Sequence, residues 1–236
     1  MAFLVNTKQR TDKEEIMDDF SIGGDLLRDT LDKLENINRW LGGNKVTLNG
    51  LKTILKNHSK TEEITIIDIG CGHGDILRDI AKFGRKYKYK LNLIGIDANP
   101  TAIEYANELS VNYPELSFKT EDIFFEDFKN RKVDIIIATL FLHHFKEEEL
   151  TSFLKQSLKQ TNIGIVVNDL HRHRLAYYLF LLLSIFIKNK MIIEDGLTSV
   201  LRGFKRKDLE LLSKKINVKP QISWKWAFRF LWIIKK

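Results

Sequence analysis

One cysteine and three prolines are found in 236 residues. With Cys71 alone, the chain can form no internal disulfide. The scarcity of proline, together with the lack of repeats and low-complexity runs, leaves no candidate linker between domains, so the length fits one α/β domain with a helical lead. The opening MAFLVNTKQR has too short an apolar stretch for a secretory signal, and a cytoplasmic location is expected. The uncharged stretch 175–187 has 13 residues, short of the roughly 20 a membrane span needs. Acidic residues are scarce only near the end. From Lys188 to Lys236 there are 13 Lys/Arg against 4 Asp/Glu, a surplus of nine, whereas the whole chain carries +7. The first 187 residues are therefore close to neutral, at about −2, and the basic region suggests an anionic partner or a solvated surface.

What is present is an alternation of strand and helix. Leu26, Leu27, Leu31, Leu34, Ile37 and Leu41 recur at helical spacing before Gly42-Gly43, and a second helix is expected over 46–56. Strands are predicted at 64–69, 91–97, 117–119, 133–138 and 163–167, with helices at 75–83, 100–109 and 146–158. Asn99-Pro100 is an N-cap followed by proline at the first helical position. Apolar strands separated by helices imply a parallel sheet covered on both faces. After Pro220, SWKWAFRFLWIIKK holds two strands too close for a crossover helix, so an antiparallel edge hairpin is expected.

The stretch IIDIGCGHGDILRDI, residues 66–80, runs from a β-branched strand through Gly70, Gly72 and Gly74 into a helix. Glycines at such a turn bring a ligand to the backbone at the carboxyl ends of the strands. A dinucleotide fingerprint fails, because the third glycine position is Asp75 or Leu77 depending on register. A carboxylate there would oppose a pyrophosphate, and the Gly-Lys-Ser/Thr of a P-loop is absent. The ligand expected at this turn presents no phosphate to it.

The DxGxGxG spacing from Asp68 to Gly74 resembles the first motif of class I S-adenosylmethionine-dependent methyltransferases, of the bacterial small-molecule type. The second strand ends GID at Asp97, where the resemblance implies an acid that accepts both ribose hydroxyls. TEDI places Asp122, with Ile123 beside it, at the adenine; Glu121 is the rival. VDIIIATLFLHHF matches the segment after the family's fourth strand. The likeness is motif by motif over 64–170 and implies a Rossmann-like, mostly parallel seven-stranded sheet with an antiparallel C-terminal hairpin strand. It divides the chain into a helical cap, 1–57, and a cofactor-binding domain, 58–236. The implied cofactor set is Asp68, Gly70, Cys71, Gly72, Gly74, Asp97, Ala98, Asp122, Ile123 and Thr139.

Independently of that resemblance, His143, His144, Asp169, His171 and His173 all follow the fourth and fifth strands. A sulfonium methyl is already activated, so the protein must align an acceptor and, for a hydroxyl, remove its proton. His144 or His171 is the expected base, with His143 and Asp169 beside them. No metal is expected: His171 and His173 lack an accompanying carboxylate or Cys cluster. Amino methylation of adenine or glutamine is disfavoured because ATLF carries no proline after the fourth strand. Cytosine C5 methylation is disfavoured because Cys71 sits in the glycine turn.

The stretch 175–187 reads as a buried helix lining an apolar pocket, with an interfacial membrane helix as its second reading. The expected acceptor is thus an apolar small molecule, phenolic, quinone-type or polyketide-type, methylated on oxygen. The alternative is an RNA methyltransferase using Trp224, Trp226, Phe228, Phe230 and Trp232 among the basic residues. Peripheral membrane contact through that basic region is the remaining partner considered.

Overall fold

Strand β1 (Glu63–Ile69) lies inside the sheet, parallel to β2 (Lys90–Asp97) on one side and β4 (Val133–Thr139) on the other, in a computed structural model that describes residues 5–236. Its β-branched residues divide between two faces. Ile67 and Ile69 enter one core cluster with Ile136, Leu154 and Trp232, and Ile66 enters the other with Leu51, Leu77 and Ile135. Burial on both faces is why these strands read as continuous apolar runs.

The full order is β3-β2-β1-β4-β5-β7-β6, with β3 (Leu116–Thr120), β5 (Thr161–Leu170), β6 (Gln221–Lys225) and β7 (Arg229–Lys235). The chain reverses direction across the sheet between β1 and β4, which opens a crevice at their carboxyl ends. The expected seven-stranded sheet and antiparallel hairpin are both found: β7 runs antiparallel to β5 and β6.

Helices α1 (Gly24–Trp40) and α2 (Gly43–Leu55) precede β1; α3 (Asp75–Tyr87), α4 (Pro100–Leu109), α5 (Glu126–Lys129) and α6 (Glu147–Gln160) link the parallel strands. After β5 come α7 (Arg174–Ser184), α8 (Lys190–Arg202) and α9 (Arg206–Lys215). Asn99 caps α4 as expected, its side chain accepting from the Thr101 N–H at 2.9 Å and the Ala102 N–H at 3.2 Å. The two helices before β1 cover different parts of the sheet. α2 packs into the core, where a Cβ on Gly50 would come within 2.5 Å of Val166 Cγ1 on β5, while α1 reaches the strand tips.

Three expectations change. β5 continues to Leu170 rather than stopping at 167, so Asn168 and Asp169 belong to the strand. Both are buried, because Asn168 Nδ2 donates to Gly43 O and Thr47 Oγ1, each at 3.0 Å, while Asp169 holds a histidine. Second, α7 is not a buried pocket wall: Ala176 and Ser184 are its buried residues, and most of its leucines face outward. Third, the aromatic tail is no continuous stacking surface, since Phe230 and Trp232 are buried core and Trp224 and Trp226 are exposed.

Candidate active site

All three glycines of the β1–α3 turn have positive φ, +65° at Gly70, +52° at Gly72 and +79° at Gly74, the region that favours glycine. Their surroundings differ. A Cβ on Gly70 would lie 2.0 Å from the Phe141 ring, and one on Gly74 2.6 Å from Phe118. At Gly72 the nearest atom would be Leu31 Cδ2 at 3.4 Å, an ordinary contact, with a cavity beyond. Gly70 and Gly74 make room for the protein's own aromatics; Gly72 is where the backbone is bare toward a ligand.

That cavity, about 1230 Å³, is lined on the sheet side by Gly70, Gly72, Asp97, Ala98, Asp122 and Ile123. Asp97 Oδ2 accepts the Gly72 N–H and Oδ1 the Asn99 N–H, both at 2.9 Å. Burial pushes its carboxyl up, against the backbone N–H groups that pull it down. Each oxygen retains a lone pair for a hydroxyl donor. Asp122 Oδ1 accepts the Phe124 N–H at 2.9 Å, and its rival Glu121, also at the cavity, pairs with Arg131 Nη2 at 2.9 Å.

Four members of the implied cofactor set do not line the cavity: Asp68, Cys71, Gly74 and Thr139. Asp68 is buried beneath the turn, where burial and the charges of Asp75 and Asp97 raise its pKa well above the carboxylate range. Its Oδ1 has no hydrogen-bond partner among the described residues. The Cys71 thiol is packed inside and pushed up by burial. Thr139 Oγ1 shares a hydrogen with Thr47 Oγ1 of α2 at 2.8 Å.

Opposite the turn, the short 3₁₀ segment Leu142–His144 carries the two histidines into a charged network. His143 is 2 % exposed, with Nδ1 2.7 Å from Asp169 Oδ1 and Nε2 3.5 Å from Glu15 Oε1. Burial alone would lower its pKa, but the two carboxylates outweigh burial and raise it to about 9. His143 is therefore held as a buried imidazolium at neutral pH, which leaves it unsuited to act as a base. His144 differs: it is partly exposed to the cavity, its Nδ1 is 2.6 Å from Asp18 Oδ1, and Arg202 Nη1 holds the other oxygen of Asp18 at 2.5 Å. A carboxylate at Nδ1 fixes the proton there and leaves Nε2 as the acceptor.

Raised in the fold to about 9, His143 contributes stability that is complete below its unfolded value near 6.5 and is lost as pH rises through 9. Thermal melts are expected to show a midpoint that falls from pH 7 to 10, and His143→Gln should flatten this dependence. Parallel curves for the two proteins would refute the buried imidazolium.

Glu15, His143 and His144 offer potential ligand atoms within 4.8 Å of one another. Two of these atoms already face charged protein groups: Arg202 Nη1 stands 3.6 Å from Glu15 Oε1, and the Asp18 carboxylate holds His144 Nδ1 at 2.6 Å. His171 lies apart from the cavity, a correction to its expected role. Its Nδ1 accepts from Trp224 Nε1 at 3.2 Å, its ring packs on Phe230, and burial with the nearby His173 lowers its pKa to about 4.

The residues that complete the site lie in the segment before α1. Asp195 of α8 accepts the Ile16 N–H at 2.7 Å and the Met17 N–H at 3.0 Å, and Arg10 Nη2 donates to His143 O at 2.6 Å. This strap brings Glu15 and Asp18 onto the histidines, and Leu27, Leu31 and Leu34 of α1 extend its apolar wall.

A bare glycine turn, a carboxylate at the end of β2 and a cavity at the switch point define a nucleoside-cofactor enzyme of the Rossmann-like class. Residues 60–191 match the methyltransferase domain family, and the chain belongs to it. It is a class I S-adenosylmethionine-dependent methyltransferase. No curated protein matches it. Among solved structures it is similar to the plantazolicin methyltransferase BpumL in complex with SAH, at 21% identity over 89% of each chain, TM-score 0.65. It is also similar to magnesium protoporphyrin IX methyltransferase (ChlM) from Synechocystis PCC 6803 with bound SAM, at 12% identity, covering 86% of this chain and 83% of that one, TM-score 0.56. The CurJ carbon methyltransferase is a third, at 14% identity, covering 80% and 53%, TM-score 0.60. Among the described residues no helix is long and apolar enough to cross a membrane.

Proposed function

We propose that this enzyme methylates a hydroxyl of an apolar small molecule, with His144 as general base oriented by Asp18. The observation that carries the reading is the 2.6 Å contact between His144 Nδ1 and Asp18 Oδ1 at the wall of the cavity. Bound S-adenosylmethionine supplies an activated methyl group. The chain's residues do the rest: Gly72 gives close approach, Asp97 accepts ribose hydroxyls, and Asp122 with Ile123 borders the adenine. His144 Nε2 takes the acceptor's proton, and Asp18 stabilises the resulting imidazolium. Ile16, Met17, Phe20, Leu31, Phe141 and Phe145 give the cavity apolar surface suited to the expected phenolic, quinone-type or polyketide-type acceptor. The neighbours named above include a porphyrin and a carbon methyltransferase, and the oxygen acceptor rests on the His144–Asp18 pair, not on them.

The test is incubation with methyl-labelled cofactor and an apolar extract, followed by identification of the labelled product. A small molecule methylated on oxygen supports the reading; labelled RNA or a carbon-methylated product overturns it. Cofactor affinity provides a separate check on Asp97. Loss of a charge-assisted hydrogen-bond acceptor costs about 1.5–3 kcal/mol, so Asp97→Ala should weaken binding about tenfold or more in calorimetry. Unchanged affinity removes Asp97 from the site.

A further inference from the structure

The cavity leaves one conspicuous surface unused. Leu175, Tyr178, Leu179, Leu182, Ile185 and Phe186 recur at i, i+3, i+4 and i+7 spacing along α7 and its terminal turn, and all are exposed, Ile185 by 73% and Phe186 by 81%. Including Leu181, this short segment holds seven of the 19 large hydrophobic residues exposed among the described residues. A water-facing helix ordinarily turns such a stripe inward. Here the inward side is already fixed: the Phe180 ring sits on α8, where a Cβ on Gly196 would lie 2.2 Å from its Cζ. The stripe consequently remains outside.

Two neighbours indicate what covers it. At the N-terminal end, His173, the α7 cap, stacks on Phe228 in the β6–β7 turn at 5.4 Å between ring centroids. Trp224 near the end of β6 and Trp226 in that turn are exposed, the latter by 63%, so an aromatic edge continues the stripe. The flanking charge is mostly basic. Arg174 precedes the stripe and Lys188 and Lys190 follow it, all exposed; no acidic residue occurs from 170 to 193, and Glu194 pairs with Lys190 at 3.4 Å. A second copy of this basic face would repel the first, whereas an anionic surface would attract it.

We infer that α7, with Trp224 and Trp226 at its end, is an interfacial helix that docks on a bilayer bearing anionic lipid. Its leucines and Phe186 enter the acyl boundary, the tryptophans sit at headgroup level, and Arg174, Lys188 and Lys190 face the lipid charge. α8 separates this surface from the cavity, with Gly196 under α7 and Ser199 and Arg202 at the cavity wall. The enzyme would then work at the membrane face, where apolar molecules concentrate. The inference is independent of the acceptor's identity.

The test is sedimentation of the full chain with vesicles of phosphatidylcholine alone and with vesicles containing phosphatidylglycerol. Partition onto the anionic vesicles is expected, weakening as salt rises. Leu182→Glu with Phe186→Glu should reduce it at least tenfold, and Lys188→Glu with Lys190→Glu by about fivefold or more per residue. Both variants should keep wild-type cofactor affinity. Failure to bind anionic vesicles overturns the inference, as does equal binding to both vesicle types. It is also overturned if light scattering shows a wild-type dimer that Leu182→Glu with Phe186→Glu makes monomeric, because the stripe would then join two copies.

Discussion

Alanine at His144 is expected to lower turnover on the identified acceptor by about 10²- to 10⁴-fold, the usual contribution of a positioned general base. Cofactor affinity should be little changed, because Asp97 and Asp122 are held by backbone N–H groups and not by His144. Asp18→Asn provides a second, graded measurement. It keeps the size of the side chain but removes the charge opposite His144 Nδ1 and Arg202. Its kcat should fall by less than in the alanine variant, with KM little altered. Full activity in His144→Ala would mean that alignment alone drives methyl transfer.

The sheet and glycine turn were legible because local chemistry and tertiary fate agree there. β-branched runs such as IIDI are buried on two faces, and Asn99-Pro100 supplies an N-cap and a preset first helical φ from its own chemistry. The end of β5 was hidden for the opposite reason. Asn168 and Asp169 look like loop residues, yet hydrogen bonds from α2 and to His143 satisfy them inside the fold. Nor did the sequence indicate the strap. Residues 5–20 have no helical or strand period, and the side chain of Asp195, about 180 residues away, fixes their path. Without the strap, Glu15 and Asp18 could not be read as partners of His143 and His144. The α7 error has another origin: an apolar period shows that a face avoids water but cannot say whether protein or lipid covers it. At the histidines, spacing gave the location but not the roles, which depend on how deeply each ring is buried and on whether carboxylates face one ring nitrogen or both.

Valine at Gly72 should abolish measurable S-adenosylmethionine binding while the chain still folds. Two costs act together. The backbone at φ +52° is open to glycine but costs an L-residue about 1–2 kcal/mol, more for a β-branched one. The new side chain would also fill the gap between the turn and Leu31, the one part of the turn not already occupied by a protein ring. Unlike Gly70, where a Cβ would enter the Phe141 ring, Gly72 borders open space, so the fold loses only the backbone penalty. A Tm lowered by several degrees with native circular dichroism is the expected melt. The Gly72 N–H would still point to Asp97, but any shift in the turn would move both groups that face the ribose. Gly72→Ala separates the two costs, since it shares most of the backbone penalty and adds a methyl at ordinary contact distance from Leu31. Its affinity should lie between wild type and Gly72→Val. Wild-type affinity in a natively folded Gly72→Val protein would place the cofactor away from this turn and undo the roles proposed for Gly72 and Asp97 alike.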